Sequence, residues 1–140
     1  MEKLLPGEVK NLKKWCSILP LNDQSPVHPF GSVVINFNAA TRRHQDCRDY
    51  EKICLVLVIK RNCTGGDLVL EDLGVVLDLE NGDVVIFRSA DITHFNMDFK
   101  GERASLVLHS DGAGKESVEQ RNGWEGNKWF KGPAPTYYIY

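Results

Sequence analysis

No stretch of this 140-residue chain approaches the roughly 18–20 consecutive apolar residues that a membrane-crossing helix requires. The opening `MEKLLPGEVK` lacks an apolar run after a basic start, so no secretory leader and no membrane partner are expected. Cysteine is sparse. Cys16, Cys47, Cys54 and Cys63 stand apart with no C-x-x-C among them, which speaks against a disulfide framework and for free thiols in a reducing compartment. An intracellular location, in cytoplasm or nucleus, is therefore expected. Neither sign of charge dominates: the net charge is −2, so the whole molecule is no electrostatic magnet for nucleic acid or anionic lipid. Basic residues do cluster locally, as Lys10, Lys13 and Lys14 and again as Arg42, Arg43 and Arg48. Internal repeats and low-complexity tracts are lacking too.

What is present changes character near residue 30. Before it, `EVKNLKKWCSIL` places Leu12, Trp15 and Leu19 on one side of a short helix, followed by the polar, Pro-containing `PLNDQSPVHP`. After it, short segments rich in β-branched residues follow one another with no helical segment between them. `GSVVINFNAA` reads as a strand. `KICLVLVIK` (52–60) is a continuous apolar run, as for a strand buried on both faces. `NCTGGD` (62–67) reads as a turn, `LVLEDLGVVLDLE` (68–80) alternates with a break near Gly74, and `NGD` (81–83) is a hairpin-type turn. `VVIFRS`, `ITHFNM` and `RASLVLHS` supply further strands, and `NGWEGNKWFKGPAPTYYIY` closes the chain with Gly, Pro and aromatics. Seven or eight short strands at close spacing imply an all-β sandwich or barrel, and a double-sheet jelly roll fits the count. The length suits one domain, residues 1–140, with its core at about 30–111.

Within `TRRHQDCRDY`, His44 and Asp46 lie two positions apart and on a strand would face the same way. His94 lies in the penultimate strand, where the chain returns across a jelly roll. Two imidazoles and one carboxylate on one face of a cation, with open positions opposite, is the arrangement of non-haem Fe(II) oxygenases. An H-x-D triplet alone is weak, since polar residues meet in loops by chance. Arg103 and Ser105 in `GERASLVLHS` strengthen it. Both face one side of the last strand, and an inward Arg is costly unless an anion meets it. Its planar fork suits a carboxylate, and a nearby hydroxyl adds a hydrogen bond. 2-Oxoglutarate has the shape to chelate Fe(II) at one end and meet Arg103 at the other. The bland alternative has Arg103 reaching solvent to pair with Glu102 or Asp111.

`HQD`, `TGGDLVLEDLGVVLDLENGDVVIFRS`, `THFN` and `GERASLVLH` together resemble the double-stranded β-helix core of the Fe(II)/2-oxoglutarate-dependent dioxygenases, and within them most of all the fungal branch of the TET/JBP-like oxygenases. The resemblance runs from about Ser32 to Asp111. It implies a cupin-like jelly roll with a short N-terminal helix and an aromatic C-terminal tail. It implies Fe(II) ligands at His44, Asp46 and His94, with 2-oxoglutarate on Arg103, assisted by Ser105, and Asn96 near the cofactor. Gly65 and Gly66 serve the turn between strands. Asn36 and Asn38 alternate on the first strand and face either the pocket or solvent.

The chemistry so implied is dioxygenase hydroxylation of a C–H bond, with 2-oxoglutarate and O2 as partners and the methyl group of 5-methylcytosine or thymine in methylated DNA as the candidate target. A flipped base calls for aromatic stacking and a basic groove. Arg43 with Arg42 and Arg48, together with Tyr50, Phe95, Trp124 and Trp129, are the candidates, although tail aromatics more often pack on the barrel. Against this stands one departure: DNA-modifying relatives carry extra segments to grip the duplex, and only some 30 residues flank the core on each side. Two other readings remain, the same chemistry on a protein side chain or small metabolite, and a non-catalytic jelly-roll binding module.

Overall fold

The computed structural model describes residues 1–19 and 22–114. The helix α1 (Pro6–Ser17) begins on a proline at the first helical position, where a missing N–H costs nothing. Glu8 lies in its first turn and Lys14 in its last, both favourable with the helix dipole. Val9, Leu12, Trp15 and Cys16 form the buried face, so Leu12 and Trp15 of the expected stripe are joined by Val9 and Cys16, while Leu19 is only half-buried. At 12 residues, α1 is too short to cross a membrane.

Seven strands follow among the described residues: β1 (Ser32–Phe37), β2 (Cys54–Gly65), β3 (Leu68–Leu70), β4 (Val75–Leu77), β5 (Val84–Phe87), β6 (His94–Asn96) and β7 (Phe99–His109). All pairings are antiparallel. They form a four-stranded sheet in the order β1-β7-β2-β5 and a three-stranded sheet in the order β4-β3-β6. The segment before β2 extends the smaller sheet, because His44 pairs with His94 by reciprocal backbone hydrogen bonds of 3.1 and 2.9 Å.

Between the sheets sits the main core: Cys54, Val56, Val58, Leu68, Leu70 and Phe87 are buried, with Leu77, Leu79, Val85, Ile92 and Val107 against them. The inward register aligns Val58 with Ser105, Val56 with Val107 and Val85, and Asn36 with Ser105. A second cluster of Leu12, Phe30 and Ile53 fastens α1 to the outside of the large sheet, over Leu55 and Leu108. Burying each such side chain contributes about 1.5–3 kcal/mol.

Three expectations change. The apolar run in β2 is not buried on both faces: burial alternates, and Ile59 on the outer side is 44% exposed. The turn expected at 62–67 starts later, because β2 continues to Gly65, pairing Thr64 with Lys100 and Gly65 with Phe99 after a register shift following Arg61. `NGD` does turn the chain, but β4 and β5 lie in different sheets, so it is a crossing and not a hairpin. The break near Gly74 is present: Glu71–Leu73 form a 3-10 turn closed by Gly74 at φ 63°.

The irregularity at the far end of β2 is where a glycine is required. Gly101 has φ 106°, and a Cβ there would lie 2.0 Å from the Asn62 carbonyl oxygen and 2.7 Å from Cys63 Cα. Gly74 also has positive φ but has open space around it. Urea unfolding should therefore separate the two: Gly101→Ala should cost about 3 kcal/mol or more, and Gly74→Ala about 1 kcal/mol.

Candidate metal centre

The reciprocal pairing of His44 with His94 sets two imidazoles side by side, their ring centroids 4.3 Å apart. The turn after them brings Asp46 back: its N–H donates to the Ser89 carbonyl at 2.9 Å. One carboxylate oxygen of Asp46 then lies 3.6 Å from His44 Nε2 and the other 3.7 Å from His94 Nε2. The three ligand atoms all fall within 4.8 Å of one another.

Tautomers follow from the partners. His44 Nδ1 is 2.6 Å from the Arg42 carbonyl and His94 Nδ1 is 2.8 Å from the Ile92 carbonyl. A carbonyl only accepts, so each Nδ1 carries the hydrogen and each Nε2 offers its lone pair toward Asp46. Burial holds His94 below the usual imidazole range, which keeps it neutral and able to ligate. Phe87 supports the same ring edge-on at 4.9 Å. The donor set fits a divalent transition metal: bonds of about 2.1 Å at right angles place donors about 3 Å apart, roughly 0.6 Å closer than Asp46 stands to either imidazole.

The three residues sit in the wall of a cavity of about 470 Å³ between the sheets. Val56, Leu68, Phe87 and Val107 make it apolar, and Asn36, Arg103 and Ser105 also line it. Arg103 is 3% exposed, and its Nε is buried with no hydrogen-bond partner among the described residues. Burial pushes the guanidinium down from its usual range. Of its two alternative partners, Glu102 and Asp111, neither forms an ion pair with it among the described residues, and Glu102 pairs with Arg61 at 3.6 Å. Ser105 is equally inaccessible at 4% exposed, with Asn36 Nδ2 3.5 Å from its Oγ. A buried guanidinium is costly without an anion, and this one faces an open space.

Of the other residues singled out in the sequence, Asn36 and Asn96 line the cavity, whereas Asn38, Arg43, Tyr50 and Phe95 do not. Asn38, at φ 49°, is spent on the backbone of Arg103: its Oδ1 accepts the Arg103 N–H at 2.9 Å and its own N–H donates to the Arg103 carbonyl at 2.7 Å. Arg43 pairs with Glu71. Tyr50 stacks on Trp15 at 4.5 Å, and Phe95 lies on the opposite side of β6 from His94 and Asn96. Trp124 and Trp129 lie outside the described residues.

Sequence reasoning missed a second polar group in the cavity. Asp49, 7% exposed, takes His109 Nδ1 at 2.8 Å on one oxygen and the Ser89 hydroxyl at 3.1 Å on the other. His109 was detectable, being in phase with Arg103 and Ser105 on β7; Asp49 had no periodic signal. Nearby, burial pushes the Cys54 thiol up to about 12, so it stays protonated.

No family model matches the chain, and no curated protein does. Solved structures do. NgTET1, solved in complex with 5mC DNA, superposes with a TM-score of 0.64 at 16% identity over 81% of this chain and 50% of that one. An oxidoreductase of the 2OG-Fe(II) oxygenase family from Burkholderia pseudomallei gives 0.49 at 22% identity, over 67% of this chain and 55% of that one. The chain thus spans about half the length of either. At these identities the likeness, carried by the first, is one of fold: a β-sandwich of the jelly-roll type.

The Asp49–His109 pair has a pH signature. Its hydrogen bond to Asp49 raises the His109 pKa above 6.5, so the pair's contribution to stability is complete below about pH 6.5 and is lost as pH rises through the raised value. Asp49→Asn should bring the His109 titration down, read by NMR of the ring protons. It should also cost about 1–3 kcal/mol near pH 6, with a smaller cost once His109 is neutral.

Proposed function

We propose that this protein is an Fe(II)- and 2-oxoglutarate-dependent dioxygenase that hydroxylates a C–H bond, and that its substrate is the methyl group of 5-methylcytosine or thymine in DNA. The observation that carries the reaction class is the buried guanidinium of Arg103, its Nε without a hydrogen-bond partner among the described residues, in the same cavity as a His-Asp-His donor set. When bound, the iron and its cosubstrate supply the oxidising chemistry.

The chain's own residues supply the rest. His44 and His94, each with its Nδ1 hydrogen on a backbone carbonyl, and the Asp46 carboxylate would hold the ion on one face and leave the opposite positions for ligands. Arg103 would take the distal carboxylate of the dicarboxylate, with the Ser105 hydroxyl two residues on to assist. Val56, Leu68, Phe87 and Val107 exclude water between those ends, so the charge-assisted bonds act in a low-dielectric space. The DNA substrate draws support from the likeness in fold to a protein solved with 5mC DNA, and from Arg42 and Arg48, exposed beside the metal-site residues. The likeness covers 50% of that structure, and a small metabolite or protein side chain is the competing substrate.

Anaerobic addition of Fe(II) and 2-oxoglutarate should give a weak visible charge-transfer band, absent in His94→Ala. Arg103→Ala should weaken 2-oxoglutarate binding by about 10–150-fold, the worth of one charge-assisted contact. A wild-type protein without the band, or a His94→Ala variant that keeps it, removes the reaction class. Mass spectrometry of methylated DNA treated with enzyme, iron and cosubstrate should reveal oxidised nucleosides; succinate formed only with peptides or small molecules would reassign the substrate.

A further inference from the structure

We infer that Asn96 is a positioning residue, a strut whose side-chain amide fixes the segment carrying His44 and Asp46 relative to Arg103. The inference rests on the reading of the cavity as a metal and 2-oxoglutarate site and deepens it. At one end of the amide, the Thr41 hydroxyl donates to Asn96 Oδ1 at 3.0 Å. The same hydroxyl accepts the Asn96 backbone N–H at 3.2 Å, and that N–H also reaches the Thr41 carbonyl at 3.3 Å, so the Thr41 side chain grips the residue twice and its backbone once. Thr41 stands three residues before His44, in the segment that runs antiparallel to β6. At the other end, Asn96 Nδ2 donates to the Gly66 carbonyl at 3.4 Å.

Gly66 is the residue against which Arg103 rests. A Cβ built there would lie 3.0 Å from Arg103 Cδ and 3.1 Å from Arg103 Nε. The backbone of Gly66 is therefore the floor beneath the guanidinium, and it is itself held by its N–H to the Asp98 carbonyl at 3.1 Å. One planar group, accepting at one end and donating at the other, thus joins the metal side of the cavity to the carboxylate side. An amide has this polarity; a carboxylate lacks the donor and a leucine lacks both. The span between a metal and a guanidinium must match a five-carbon dicarboxylate to within a fraction of an ångström for both ends to bond at once. A rigid link between the two halves is what would hold that span.

The two ends are separable by mutation. Thr41→Val removes the hydroxyl's two bonds to Asn96 and leaves the backbone pairing and the Gly66 contact; Asn96→Ala removes the amide's bonds at both ends. Co(II) serves as the metal probe, followed by its visible absorption, and 2-oxoglutarate affinity is measured by calorimetry at saturating Co(II). Thr41→Val should weaken Co(II) by about tenfold, in line with loss of a supporting hydrogen bond behind a ligand, and leave 2-oxoglutarate within about threefold. Thr41→Ser should restore Co(II) binding, and Thr41→Ala serves the same comparison if the Val variant does not fold. Asn96→Ala should weaken both ligands by about tenfold, and the double variant should bind Co(II) no worse than Asn96→Ala alone. If both single variants stay within threefold of wild type for both ligands, or if both weaken the two ligands equally, the strut is refuted. A wild type that binds neither ligand refutes the underlying functional reading and the strut with it; a wild type that binds both, with no split among variants, refutes the strut alone.

Discussion

The site depends on one pair of backbone hydrogen bonds, His44 N–H to the His94 carbonyl and His94 N–H to the His44 carbonyl. Fifty positions apart in sequence, the two residues become direct neighbours across an antiparallel bridge, which puts both side chains on the same face. The rest of the donor set follows from it. Each ring is turned by a carbonyl two residues upstream, and Asp46 is returned to the pair through its bond to Ser89. Gln45, which points the other way, ties the same segment to Thr93 and to the Asp91 carbonyl.

The cavity is organised by what it leaves unsatisfied. A buried guanidinium without an anion is a state that folding alone would not favour, since desolvation costs several kcal/mol. The surroundings hold it regardless. Asn38 clamps the Arg103 backbone from both sides, Gly66 underlies the side chain, and the pairing of Arg103 with Lys60 on β2 keeps it inward. Asp49 and His109 contrast with it, because there a buried acid and an imidazole satisfy each other and Ser89 completes the carboxylate. One cavity thus holds a polar group kept open and a polar group closed, and the open one marks where a ligand belongs.

Outside the large sheet, α1 covers Leu55 and Leu108 while Ile35, Phe37 and Val84 remain largely exposed. This explains why β2 is apolar on both of its faces although only one is in the core. A continuous apolar run reports that neither face is polar; it does not report that both are buried.

Much was legible in the chain itself. Period-2 apolar texture and Gly- and Asn-containing turns determined an all-β chain of short strands, because side chains on a strand must alternate between faces. The parity of Arg103 and Ser105 put both on one side of the last strand for the same reason, and the choice of imidazole, carboxylate and guanidinium already limited what such a group could bind. Tertiary structure alone decided which strands are neighbours, where β2 ends, and that β4 and β5 part into different sheets, since hydrogen-bond partners are settled by long-range pairing and local periodicity does not encode them. It also decided the fate of Asn38, Arg43 and Tyr50, whose side chains are taken up by the Arg103 backbone, Glu71 and Trp15. Whether a polar side chain is free depends on which partner lies within about 3 Å of it, and that distance exists only once the chain has folded.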